Sequence, residues 1–92
     1  MIRHQIKEIS NSSATSLDIT EAIKSAYTLI VQNVNASGYI YIGNSGVTTL
    51  NYGYKLYPGQ GITIELPARS TMSAIASVSG MNVSIMEIDR AI

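Results

Sequence analysis

Residues 39–66 read YIYIGNSGVTTLNYGYKLYPGQGITIEL, and this stretch decides the fold class. Isoleucine alternates with tyrosine in residues 39–42, and apolar residues fall on every second position in residues 62–66. A period of two places successive side chains on opposite faces of a β-strand. Between these runs, Pro58 and Gly59 predict a type II turn, because glycine takes the positive φ at its third position. The stretch therefore predicts short strands joined by tight connections.

Five other segments show the same alternation or a continuous apolar run, and we predict them as strands: residues 2–9, 14–19, 26–35, 72–79 and 82–89. The longest apolar segment, AYTLIVQNVN at residues 26–35, is predicted as a central strand. Short strands separated by Gly, Pro, Asn and Ser are typical of a sandwich or barrel. We predict an all-β protein, an antiparallel β-sandwich of about seven or eight short strands in a jelly-roll-like or immunoglobulin-like order.

The 92 residues make a single domain, with N-terminal strands or an arm in residues 1–25 and a sandwich core in residues 26–92. One segment competes with the β pattern. Residues 18–21, DITE, resemble a helix capping box, but the run that follows is too short for a stable helix. We interpret residues 20–25 as a loop that can contain one helical turn.

The chain is poor in charge, because 13% of its residues are charged against about 25% in an average globular domain. Serine, threonine and asparagine take the place of the missing charges. Interface cores are depleted of charge, so this composition favours a chain in contact with other chains. The alternative is a monomer whose surface is polar but neutral.

The same composition argues against several classes of partner. Six basic and six acidic residues cancel, and the basic residues are scattered, which is untypical of nucleic-acid binding. The absence of cysteine excludes disulfides and thiolate metal sites. No apolar run approaches the roughly 20 residues that span a membrane, and the alternating N-terminal MIRHQIKEI does not resemble a signal peptide. We expect a protein made in the cytoplasm.

Residues with catalytic potential are few and dispersed. His4 is the single histidine, and we interpret it as an exposed or interface side chain. Gly43-Asn44-Ser45-Gly46 superficially resembles the surroundings of a catalytic serine, but a nucleophile needs a base and an orienting partner; its glycines are predicted to supply positive φ. The acids show no metal-ligand spacing, and residues 87–90 are predicted as a strand end with a solvated ion pair. We expect no catalytic residue, cofactor, metal or small-molecule substrate.

Residues 50–61, LNYGYKLYPGQG, hold three of the six tyrosines. Leu56 is predicted to point inward and to close one end of the sandwich. Tyrosines combine an apolar body with a polar tip, so they could stack on sugars or bases or be buried against another protomer. The stretch contains no acidic residue, and we prefer the protein interface. The predicted interface residues are Tyr39, Tyr41, Tyr52, Tyr54 and Tyr57.

The order YIGNSGVTT, GYKLYPGQGITIEL and STMSAIASVSGMNVSIMEI resembles a small β-sandwich module of tailed-bacteriophage virion proteins. The resemblance covers about residues 26–89, including the strand in residues 27–35, and leaves the first 25 residues uncovered. The matching positions are Ile42, Gly43, Val47, Thr48, Gly53, Tyr54, Leu56, Pro58, Gly59, Glu65, Ala74, Ile75, Ala76, Ser77, Val83, Ile85 and Glu87.

The resemblance implies a virion structural protein. Since the chain consists essentially of this module, the implied role is a capsid decoration (cement) protein that binds the major capsid protein on the outside of the phage head. Such proteins often form homotrimers, and residues 1–25 would then be an arm that contacts the capsid or a neighbouring subunit. Two alternatives stay open: another virion component of the tail, neck or baseplate, and a carbohydrate-binding or receptor-binding module.

Overall fold

Eight strands form two antiparallel sheets in the computed structural model of the protein, which describes residues 2–19 and 26–89. The strands are β1 (Ile2–Ile9), β2 (Thr15–Ser16), β3 (Tyr27–Asn33), β4 (Ile40–Gly43), β5 (Tyr54–Leu56), β6 (Gly61–Leu66), β7 (Ser73–Ala76) and β8 (Met81–Asp89). The predicted all-β antiparallel sandwich is confirmed. The helical turn considered for residues 20–25 lies outside the described residues.

The strand order is that of a jelly roll. Sheet 1 has the order β1-β8-β3-β6, and sheet 2 has the order β2-β7-β4-β5. The first strand pairs with the eighth, the second with the seventh, the third with the sixth and the fourth with the fifth. Such nested antiparallel pairs describe one long hairpin rolled into two facing sheets. Of the two predicted orders, the structure has the jelly roll.

The core lies between the sheets and follows the alternation of the strands. In β3, Leu29 and Val31 point inward, and their partners Ile64 and Ile62 in β6 lie on the same face. The predicted central position of the residue 26–35 segment is confirmed, since β3 lies between β8 and β6. Both N-terminal strands contribute to the sandwich, because β1 pairs with β8 along its whole length and Ile9 is fully buried.

A partly buried ion pair joins β1 to β8. Glu87 is fully buried, and its carboxylate accepts hydrogen bonds from Arg3 Nε at 3.1 Å and from the Ile19 backbone N–H at 3.3 Å. Arg3 also donates to Asp89, with an Nη2–Oδ1 distance of 2.6 Å. The prediction of a solvated ion pair in residues 87–90 is therefore wrong for Glu87, which pairs with the first strand; Arg90 lies outside the described residues.

Two local predictions have opposite outcomes. The type II turn is confirmed, because Gly59 has φ +81° and the Gln60 N–H donates to the Tyr57 carbonyl at 2.9 Å. The positive φ predicted for Gly43 and Gly46 is wrong, since neither of them is among the residues with positive φ. Gly43 instead lies close to Val47, since a Cβ at this position would be 3.2 Å from Val47 Cβ, closer than an ordinary van der Waals contact.

Candidate functional site: an aromatic cluster on sheet 2

The outer face of sheet 2 presents aromatic and apolar side chains. Strand pairing places Tyr41 of β4 between Ile75 of β7 and Lys55 of β5. Their neighbours Ile40 and Leu56 are fully buried on the inner face, and the inward direction predicted for Leu56 is confirmed. Because successive side chains of a strand point to opposite faces, Tyr41, Ile75 and Lys55 form a row across the outside of the sheet.

The connection between β4 and β5, residues 44–53, folds onto this outer face. Val47 from the connection is buried against Tyr41 and Ile75, and Tyr39 packs beside them. Two hydrogen bonds to Asn44 shape the turn: the Val47 N–H donates to its carbonyl at 3.0 Å, and the Gly46 N–H donates to its Oδ1 at 2.8 Å. The sandwich thus carries a second, small apolar cluster outside its main core.

Four tyrosines and one lysine complete the surface, which we call the aromatic cluster: Tyr39, Tyr41, Tyr52, Tyr57 and Lys55. The rings of Tyr39 and Tyr57 meet edge to face with centroids 5.2 Å apart, and those of Tyr41 and Tyr52 lie 4.7 Å apart. The Lys55 ammonium lies 4.1 Å from the Tyr39 centroid and 5.1 Å from that of Tyr57. These are favourable cation–π distances, so the charge of Lys55 is held against ring faces.

The structure brings together four of the five tyrosines predicted as interface residues. Tyr54 is separate, because it lies opposite Ile42 in the register and so belongs to the other face of β5. Tyr52 and Tyr57 are 43% and 49% exposed, whereas Tyr41 is 9% exposed. The aromatic cluster thus has a buried base and an exposed rim. Contact of these tyrosines with a partner chain stays a prediction.

Lys55 is the member of the cluster that sequence reasoning missed. The available signal was the alternation in Tyr54-Lys55-Leu56. Once Leu56 points inward, Lys55 must point outward, on the side opposite to Tyr54. Its proximity to Tyr39 depends on the pairing of β4 with β5, which no local pattern specifies.

A second apolar surface lies on the opposite side of the sandwich, on the outer face of sheet 1. Ile2 and Ile6 of β1 are 63% and 61% exposed, and Met86 of β8 is 38% exposed. With Ile30 of β3, Ile6 and Met86 line a groove that also contains His4. We call Ile2, Ile6, Ile30 and Met86 the sheet-1 patch. His4 is exposed, in agreement with its sequence-based interpretation.

The fold separates Ser45 from His4, the single histidine of the chain. Ser45 belongs to the connection that covers the outside of sheet 2, whereas His4 lies on the outer face of sheet 1. The whole thickness of the sandwich therefore separates the serine from the single histidine of the chain. Within residues 2–19 and 26–89, no group of three or more His, Asp or Glu side chains could hold a metal ion.

No protein-family model matches the chain, and no curated protein is significantly similar to it. None of the described residues forms a helix that is long and apolar enough to cross a membrane.

Proposed function

We propose that this protein is a non-catalytic virion subunit of a tailed bacteriophage, a decoration (cement) protein that binds the outside of the head. The observation that carries the proposal is the presence of apolar side chains on both outer faces of the sandwich. The outer face of a two-layer sandwich ordinarily meets water and is polar. Here the sheet-1 patch exposes Ile2 and Ile6, and the aromatic cluster exposes Tyr52 and Tyr57 on the opposite side.

Two apolar faces on opposite sides suit a subunit that is held between two partners. Contiguous exposed apolar surface marks interaction sites in soluble proteins. One face would contact the major capsid protein, and the other would contact a neighbouring subunit. The bound subunits then add contacts that must be broken before the shell can open. Many equivalent sites on the shell would make weak single contacts strong in sum.

The net charge of zero and the low charge content support a protein partner rather than a nucleic acid. The protein would be made in the host cytoplasm and would end on the surface of the phage head. Its mechanism would be physical, because contact area rather than bond chemistry would stabilise the shell.

A binding assay with isolated phage heads tests this proposal. Heads that lack the protein are incubated with purified protein and sedimented, and the bound fraction is measured. We expect saturable binding that falls at least about tenfold for Tyr52→Ala/Tyr57→Ala, since buried tyrosines are frequent binding hot spots. Leu50→Ala is the matched control, because Leu50 is a 94% exposed apolar residue in the connection that also bears Tyr52. Failure of the unmodified protein to bind heads would refute the proposal.

The exposed rings of Tyr52 and Tyr57 beside Lys55 also favour a second candidate, a carbohydrate-binding or receptor-binding module. Aromatic faces can stack on sugar rings in the same way as on other flat or apolar surfaces. This candidate predicts glycan binding that is lost in Tyr57→Ala, whereas the decoration protein would bind no glycan. If the protein is instead a tail, neck or baseplate component, imaging of labelled particles would locate it away from the head.

A further inference from the structure

The first strand is the longest exposed edge of the described fold. β1 forms one edge of sheet 1, and the register of its pairing with β8 runs without interruption from Ile2 to Ile9. The edge strands of sheet 2, β2 and β5, have two and three residues. The remaining edge, β6, has six residues and ends before Pro67. A long straight edge with unpaired backbone groups is a template for another strand.

β1 also lacks some of the devices that commonly protect such an edge. It contains no proline and no bulge, and its two cations are held within their own subunit. Arg3 binds Glu87 and Asp89, while Lys7 Nζ donates to the Ser16 carbonyl at 2.6 Å and to the Asp18 carbonyl at 3.2 Å. Lysines that project from an edge strand ordinarily block the approach of another sheet. Here both cations point toward groups of their own sandwich.

The middle of β1 is open to solvent on both of its faces. His4 and Ile6 point to the outer face of sheet 1, Gln5 points to the opposite side, and all three residues are exposed. Ile6 also belongs to the sheet-1 patch, so apolar surface extends to the strand edge itself. An incoming strand would find both free backbone groups and apolar side chains.

We propose that two copies of this chain pair through β1, antiparallel and around a twofold axis at Ile6. Residues 3–9 of each copy would form the new ladder and join the two copies of sheet 1 into one continuous sheet. The partner is a second copy because the strand is complementary to itself in this register. His4 would face Glu8 of the second copy, Gln5 would face Lys7, and the two Ile6 side chains would meet on the axis.

The other twofold registers are less favourable. An axis at Gln5 would set Arg3 directly opposite Lys7, and an axis at Lys7 would set the two lysines opposite each other. Like charges directly opposite in a ladder are destabilising. An axis at His4 would avoid this repulsion but would pair only residues 2–6 and would oppose the two histidines. The axis at Ile6 gives a seven-residue ladder in which no like charges are directly opposed.

Measurement of the molar mass in solution is the first test. Light scattering after size exclusion, over a range of protein concentrations, should show a species of twice the 9.9 kDa chain mass. Ile6→Lys should shift the species to the chain mass, because two lysines would then oppose each other on the axis. Thr63→Lys is the matched control, since Thr63 is an exposed outer-face residue on the opposite edge strand, β6. Circular dichroism melting checks that both variants remain folded.

A cysteine scan tests the register, and the chain offers a clean background because it has no cysteine. Directly opposed residues of an antiparallel pair have Cα atoms about 4.5–5.5 Å apart, within the range of a disulfide. Ile6→Cys should therefore form a disulfide dimer under mild oxidation. His4→Cys should not, since the two His4 residues would be four positions apart along the ladder.

A monomer at every concentration would overturn the inference, and so would a trimer that Ile6→Lys leaves intact. Cross-linking through His4→Cys but not through Ile6→Cys would also overturn it. The inference is independent of the proposed function, because head binding by a strict monomer would refute only the β1 contact. An Ile6-centred dimer that fails to bind heads would refute only the decoration role.

Discussion

The guanidinium of Arg3 in the first strand binds the carboxylate of Glu87 in the last strand, with Nε and Oε1 3.1 Å apart. The two residues are 84 positions apart in sequence, and Glu87 is fully buried. The pair thus joins the two ends of the described chain inside the sandwich. It also explains how so small a core accepts a carboxylate, since a buried charge is tolerated when it is paired and hydrogen-bonded.

Replacement of Arg3 by Met should destabilise the fold strongly. The change would remove the cation that binds the buried Glu87 carboxylate, and removal of one partner of a buried ion pair costs about 3 kcal/mol or more. Denaturant unfolding measures the loss. Gln5→Met, an exposed position on the same face of β1, is the control and should change the free energy of unfolding by less than about 0.5 kcal/mol. Equal effects of the two changes would contradict the assigned role of the pair.

Acid should lower the free energy of unfolding through protonation of Asp89, the second carboxylate that Arg3 binds. Its hydrogen bond with Arg3 lowers the pKa of Asp89 below the ordinary value of 3.8. A carboxyl whose pKa is lowered by folding stabilises the protein above its unfolded pKa, and this contribution is lost as the pH falls below 3.8 through the folded value.

Chemical denaturation at a series of pH values checks this dependence. The difference in unfolding free energy between the unmodified protein and Asp89→Asn should be largest at neutral pH and should shrink as the pH falls below 3.8. A difference that is constant with pH would show that the ionised Asp89 does not contribute.

Asn33 should stabilise the connections that follow β3 and β5. It is fully buried, and its amide Nδ2 donates to the Leu56 carbonyl at 3.1 Å and to the Gly38 carbonyl at 3.2 Å. Asn33→Leu would leave these carbonyls without that donor, at a cost of about 1–3 kcal/mol. The neighbouring exposed residue provides the control Gln32→Leu, for which thermal unfolding should show only a small change. A larger loss in the control would refute this assignment.

We expect the buried Tyr41 of the aromatic cluster to support folding, and the exposed Tyr57 to be available for binding. Tyr41→Ala should cost about 3 kcal/mol, since it removes a ring buried against Val47, Ile75 and Tyr52. Tyr57→Ala should cost less than about 1 kcal/mol, because half of that side chain is already exposed. Urea unfolding compares the two variants. A Tyr57 variant as unstable as the Tyr41 variant would mean that the rim is structural rather than available for binding.

The amino-acid sequence by itself determined those features that depend on near neighbours. The period of two predicted seven of the eight strands within a few residues, and Pro58 with Gly59 predicted a turn that the structure contains. The inward position of Leu56 also followed from local pattern. The short β5 strand was missed, because three residues beside a turn carry too little periodicity to be recognised.

Only the tertiary structure decided which strands are neighbours and which side chains meet. The nested pairing made the fold a jelly roll, brought Arg3 to Glu87 and placed Lys55 over Tyr39. It also brought residues 44–53 onto the outside of sheet 2. The physical reason is that alternation specifies the two faces of a strand but not its partner. Partners are selected by backbone pairing and side-chain burial between segments far apart in sequence, and those energies exist only once the sandwich has formed.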